Sequence, residues 1–139
     1  MFSNYDLFEM KKVLFACVEN AGRSQMAEGF FKKLAPDDYQ GISAGTVPVS
    51  EINPLAIQAM KEVDIDISQN QSKLITNEMI SESSSVENMG CMDKESCPAL
   101  FVEDVADWDI EDPKGKSIEE IRKIRDSIET KVKKLVSEL

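Results

Sequence analysis

Cys17 stands at the end of an apolar run, Val13-Leu14-Phe15-Ala16, and is followed after five residues by Arg23 and Ser24. The run reads as a buried strand. From about Gly22 the pattern turns helical, with Met26, Ala27, Phe30 and Phe31 able to share one face. The thiol is therefore expected where a strand gives way to a short loop and then to a helix. Such a loop points several backbone N–H groups into one concavity, which suits a tetrahedral oxyanion. Val18, Glu19, Asn20, Ala21, Gly22, Arg23 and Ser24 are the candidate oxyanion-binding residues. Arg23 supplies a planar, two-pronged donor. Asn20 tolerates a left-handed backbone and Gly22 permits close approach. A helix end and a guanidinium both favour thiolate over thiol at Cys17, and the Ser24 hydroxyl can donate to the sulfur. The expected outcome is a nucleophile aimed at the centre of a bound oxyanion. The competing reading, a strand-end cysteine beside a surface arginine, does not explain why strand, loop, Gly, Arg, Ser and helix agree.

The rest of the chain limits the chemistry. It has 139 residues, 42% of them hydrophobic, which fits one domain with a substantial core. The net charge of −10 argues against nucleic acid and anionic membrane surfaces as partners. Histidine is absent, which removes Ser-His-Asp and Cys-His catalysis and the usual zinc sites. Acid catalysis then falls to Asp or Glu. No secretory leader or membrane-length apolar run is read, so a cytoplasmic location with reduced thiols is expected. In that setting the three cysteines point to catalysis or redox work more than to structure.

The elements that must position these groups follow in order. Met1 to Lys12 is a polar lead-in to which no function attaches. Val13 to Cys17 is the first strand, Gly22 to Leu34 the first helix and Tyr39 to Ala44 the second strand. Asn53-Pro54 opens a helix with Pro in its first turn and Ala56, Ile57, Met60 and Val63 on its apolar face. Ser68 is read as the cap of a short helix containing Leu74 and Ile75. Ser83 to Met89, weakly patterned, is the third strand, and Val102 to Ile110 the fourth. Ser117 and Glu120 form a capping box for a last helix with an apolar stripe from Ile118 to Val136. Strands alternating with helices imply an α/β fold, a single doubly wound four-stranded parallel sheet flanked by helices. The carboxyl ends of its strands then gather the Cys17 loop, the segment with Cys91 and Cys97, and the loop with Asp112.

Five residues separate Cys91 from Cys97, which does not match the short zinc spacings, and no metal site is assigned. A reversible surface disulfide is preferred over two unpaired thiols, given the polar Gly90 to Pro98 stretch around them. Asp112 precedes Pro113 on the active edge. A carboxyl group beside a bound oxyanion would retain its proton and could donate it to a leaving oxygen. The sequence ranks Asp112 no higher than Asp109 or Glu111.

Taken together, CVENAGRSQMAEGF, ISAGT, NPLAIQAM, MGCMDKESCP and DWDIEDPKGKS, in this order, resemble the thioredoxin-coupled arsenate reductases, which share the fold of the low-molecular-weight protein tyrosine phosphatases. The resemblance runs from about Lys11 to Leu139, so residues 1–11 count as an extension and residues 12–139 as the domain. It implies that Cys17 is the nucleophile, that Asn20, Arg23 and Ser24 shape the oxyanion loop, that Asp112 is the general acid, and that Cys91 and Cys97 are the redox pair. It also implies that arsenate is reduced to arsenite through a Cys17, Cys91, Cys97 disulfide relay regenerated by a thioredoxin-like donor, with no cofactor. Some relatives hold potassium through an Asn, a Glu, a Ser and an Asp. Asn20, Glu28 and Ser43 match, Lys73 stands at the Asp position, and its ammonium is expected to substitute for the ion. Two other functions share the cup. One is a phosphatase acting on phosphotyrosine or small phosphate esters, which usually has aromatic residues after the Asp-Pro where this chain has Lys114 and Gly115. The other is a redox- or oxyanion-sensing module.

Overall fold

The structure, a computed structural model, describes residues 10–89 and 105–139. Its elements are β1 (Lys11–Cys17), α1 (Arg23–Leu34), β2 (Tyr39–Gly45), α2 (Pro54–Lys61), α3 (Asn77–Glu82), β3 (Ser85–Asn88), β4 (Val105–Asp107) and α4 (Ile118–Ser137). Among the described residues the four strands form one parallel sheet in the order β2-β1-β3-β4. The reversal of strand order on either side of β1 is a topological switch point, where a crevice opens at the carboxyl ends of the strands. Cys17 is the last residue of β1, so it sits at that crevice.

Alternation along β1 divides the core. Val13, Phe15 and Cys17 face a layer made by α1, α2 and α4, with Met26, Phe30, Met60, Ile124 and Ile128 among its buried side chains. Leu14 and Ala16 face the other side with Ala44 and Val86, where Met79 and Ile80 of the short α3 pack over them. The β1 run is apolar throughout because it is covered on both faces. Phe15 anchors the thicker layer, meeting Phe31 and Trp108 edge to face at 5.6 and 5.7 Å. The stripe on α4 buries Ile121, Ile124, Ile128 and Val132, and the capping box of Ser117 and Glu120 starts that helix.

Three sequence expectations need correction. No helix starts at Ser68. Asp66 accepts the Ser68 N–H in a local turn, and the chain then runs extended past β2. There Gly45 donates to the Lys73 carbonyl and Ile75 donates to the Gly45 carbonyl. The short helix follows as α3, capped by Thr76, whose hydroxyl accepts the Met79 N–H. The third strand is shorter at both ends than its pattern suggests, and the fourth stops at Asp107, with Val102 to Asp104 outside the described residues. β3 forms within the expected Ser83 to Met89 stretch, and its buried Glu87 and Asn88 are what make its apolar pattern weak. β4 ends at Asp107 because Asp109 turns to a positive φ of 52°, although Trp108 and Ile110 still donate to Asn88 and Met89. Most of the lead-in, residues 1–9, and the segment with Cys91 and Cys97 lie outside the described residues.

Candidate active site

The turn from β1 into α1 is held from outside. The carbonyls of Cys17, Val18, Glu19 and Ala21 accept from the N–H groups of Thr46, Val47, Val49 and Asn53 at 2.8–3.2 Å. With its carbonyls turned outward, the loop directs N–H groups inward, and that is what makes a concave anion receptor of it. The collar that does this, residues 46–53, acts through its backbone N–H groups, so a search for reactive side chains passes over that role even though Glu51 of the collar lines the cavity. β2 approaches so closely that only glycine fits at its end: a Cβ on Gly45 would lie 2.4 Å from the Val18 oxygen.

Inside the loop, bonds converge on Asn20 and the sulfur. Asn20 has φ 52°, and its backbone N–H donates to Cys17 Sγ at 3.1 Å. Its Nδ2 donates to Ser24 Oγ at 2.7 Å, and Ser24 Oγ lies 2.9 Å from Cys17 Sγ. Because the Ser24 oxygen already accepts from Asn20, its own proton is free to point at the sulfur. The sulfur thus faces two donors, the arrangement that suits a thiolate.

Gln25 was not legible as a site residue. It is fully buried, and its Nε2 donates to Asn20 O and Oδ1 and to the Gln71 carbonyl at 3.0–3.1 Å, while Asn70 Nδ2 donates to its Oε1. The backbone N–H of Lys73 donates to Asn20 Oδ1 at 2.9 Å. This network fixes which way the Asn20 amide points. The only signal for it is a polar residue at a helix position where burial is expected.

Lys73 does not place its ammonium where the resemblance implies a cation. Nζ donates outward to the Gln71 carbonyl at 3.1 Å. Glu28 is instead paired with Lys32 at 3.4 Å, and Ser43 Oγ is buried with no hydrogen-bond partner. The donor set does not fit potassium, since position 73 brings an N–H and an ammonium rather than a carboxylate, and Asn20 Oδ1 already accepts two bonds.

Arg23, the first residue of α1, is 4% exposed. Its Nη1 donates to the Ile110 carbonyl at 3.0 Å, and Nη2 lies 3.8 Å from Asp112 Oδ2. The kink at Asp109 brings the chain back over the cup, so Asp112, not Asp109 or Glu111, pairs with Arg23. Asp112 Oδ1 accepts the Lys114 N–H at 3.0 Å, which closes a small turn, and Pro113 rests on Gly22. Cys17, Arg23 and Asp112 all line one cavity of about 610 Å³. Its walls include Val47, Val49 and Ile52 and, among the described residues, no aromatic ring.

The sequence profile of the low molecular weight phosphotyrosine protein phosphatase family matches residues 12–139. Arsenate reductase 1 of Staphylococcus saprophyticus is 39% identical over 127 residues, covering 91% of this chain and 96% of that one. Among solved structures, an arsenate reductase in the phosphate binding state superposes with a TM-score of 0.82 at 37% identity, over 93% of this chain and 98% of that one. The YwlE arginine phosphatase from Geobacillus stearothermophilus superposes with a TM-score of 0.82 at 27% identity, over 92% of each chain. The chain belongs to the low molecular weight phosphotyrosine protein phosphatase family.

Proposed function

We propose that this member of the family is an arsenate reductase that uses Cys17, Cys91 and Cys97 in sequence. The observation that supports it most is the seating of Cys17 Sγ, with donors from Asn20 and Ser24, at the floor of an anion-shaped cup. The similarity to arsenate reductases over nine-tenths of the chain selects the reaction.

In this mechanism arsenate is held by the loop N–H groups and by Arg23. The Cys17 thiolate adds to arsenic, and one arsenate oxygen leaves as water with a proton from Asp112. The Cys91 thiolate attacks Cys17 Sγ. The electron pair of the As–S bond passes to arsenic, which falls from As(V) to As(III) and departs as arsenite. Cys97 attacks Cys91 Sγ, the Cys17–Cys91 bond breaks with Cys17 leaving as its thiolate, and the disulfide moves to Cys91–Cys97. A thioredoxin-like dithiol then returns both thiols. A reducing, cytoplasmic setting suits this cycle, because its resting state needs three free thiols.

The test is arsenate-dependent NADPH oxidation with thioredoxin and its reductase. The native chain turns over many times, whereas Cys97→Ser stops after about one equivalent. Unchanged multiple turnover by Cys97→Ser sinks the relay, and rapid turnover by the native chain excludes a single-use sensor. Lys114 and Gly115 stand after Asp112-Pro113, where phosphotyrosine phosphatases usually carry aromatic residues, and this favours reduction over phosphotyrosine hydrolysis. Slow hydrolysis of aryl phosphates by the same Cys17 and Asp112 is expected as a side activity.

A further inference from the structure

Glu19 is a carboxylate placed within a loop built to receive an anion. Its side chain lines the cavity, and its backbone carbonyl is fixed by the Val49 N–H. Across the mouth, Lys114 Nζ lies 3.5 Å from Glu19 Oε1. Lys114 is largely exposed, and a surface pair of this kind adds little to folding stability. Its place in the molecule gives it another use. The backbone N–H of Lys114 closes the turn of Asp112, so the residue that orients the acid also carries the counter-charge for the anion loop.

We propose that Lys114 is a specificity-determining residue that cancels the charge of Glu19 and so lets a doubly charged oxyanion enter. This rests on the reading of the Cys17 cup as an oxyanion site. With the pair intact, the field at the mouth is set by Arg23 and the loop N–H groups against the two other carboxylates that line the cavity, Glu51 and Asp112. With Lys114 neutralised, an uncompensated carboxylate faces the incoming dianion in a chain already carrying a net charge of −10. The side chain of Lys114 takes no part in the Asp112 turn, which uses only its backbone, so Lys114→Gln leaves the acid oriented. The effect falls on binding and spares the chemical step.

The experiment is a double-mutant cycle of Lys114→Gln and Glu19→Gln at low and high salt. Two quantities are read: the affinity for inorganic phosphate, measured as protection of Cys17 from iodoacetamide and resolved by mass of the Cys17 peptide, and KM and kcat for arsenate. Lys114→Gln weakens phosphate binding and raises KM about tenfold at low salt with kcat held, and high salt shrinks the effect. Glu19→Gln binds phosphate somewhat more tightly than the native chain. The double variant returns to within about twofold of native, because there is no longer a charge to cancel. If removing Glu19 does not rescue Lys114→Gln, so that the double variant stays about tenfold weaker than native, Lys114 acts on the anion by itself and the proposal falls. An unchanged phosphate affinity in Lys114→Gln also overturns it. If phosphate follows the cycle but arsenate is not reduced, the proposed function fails and the charge compensation stands. The reverse pattern sinks the compensation alone.

Discussion

The floor and the rim of the cavity are built in opposite ways. The floor, from Cys17 to Gln25, is mostly buried, with Val18, Glu19 and Ala21 partly exposed, and is fixed by bonds from β2, the collar and the segment around Lys73. The rim, from Glu111 to Lys114, is mostly exposed and is held by a turn, three charge pairs and one proline resting on a glycine. A group that must meet a reacting atom in one geometry is set in over-determined structure. A group that must pick up and release a proton stays at the water surface. Substitutions in the floor should therefore lower stability and activity together, and those in the rim should lower activity alone.

The largest expected effect is that of Cys17→Ser, which abolishes arsenate turnover while keeping phosphate binding. Retained turnover would mean that the floor does not hold the nucleophile. Next comes Asp112→Asn, with kcat reduced by about 10²-fold, the lower range for a general acid, and melting temperature unchanged. A loss under about threefold would move the acid elsewhere on the rim. Gln25→Ala tests the floor. It leaves the buried Asn20 carbonyl without its partner, an unsatisfied group costing about 1–3 kcal/mol, and removes one of the two bonds to the Asn20 amide oxygen, so melting temperature and kcat fall together. If only kcat fell, the contrast between floor and rim would break. Gly22→Ala touches both regions: its Cβ would lie 2.7 Å from Pro113 Cγ, so the turn must shift and kcat drops several-fold with little change in phosphate affinity.

The smallest effect concerns β3. Burial holds the Glu87 carboxyl above its ordinary value near 4.5, against hydrogen bonds from Ser85 and Trp108, and Glu138 adds to the rise. A raised carboxyl is neutral in the fold over a range where the unfolded chain has already ionised. It costs nothing below the ordinary value, and stability is lost as pH climbs through the folded value. Glu87→Gln should leave melting unchanged at pH 4 and raise it at pH 8. Equal shifts at both pH values would remove ionisation as the cause.

This contrast also explains what could be read from the chain before its fold was known. The strand, loop and helix around Cys17 are written locally, since burial, left-handed backbone and close approach each demand a residue type at that position. The sheet and the α4 stripe follow from periodicity. Gln25, the collar from Thr46 to Asn53 and the run from Ser68 to Ile75 depend on partners far along the chain. Gln25 acts through its side-chain amide, whereas the collar and the run act chiefly through their backbone groups. Ser68 looks like a cap in isolation, and only the presence of the β2 end draws its segment into an extended path. Asp112 was one of three neighbouring acids until the turn at Asp109 singled it out.

The place of β1 between β2 and β3 bears on how the thiol comes into being during synthesis. The first strand to be made is the central one, and its second neighbour is not available until residue 85. Asn20 waits for Lys73, Gln25 waits for Gln71, and Arg23 waits for the carbonyl of Ile110. A nascent chain stopped short of that residue carries Cys17 and Arg23 without the receptor that aligns them. Reactivity therefore arrives late, as a property of the completed sheet, and a growing chain is spared a reactive sulfur while the rest of it is still being made.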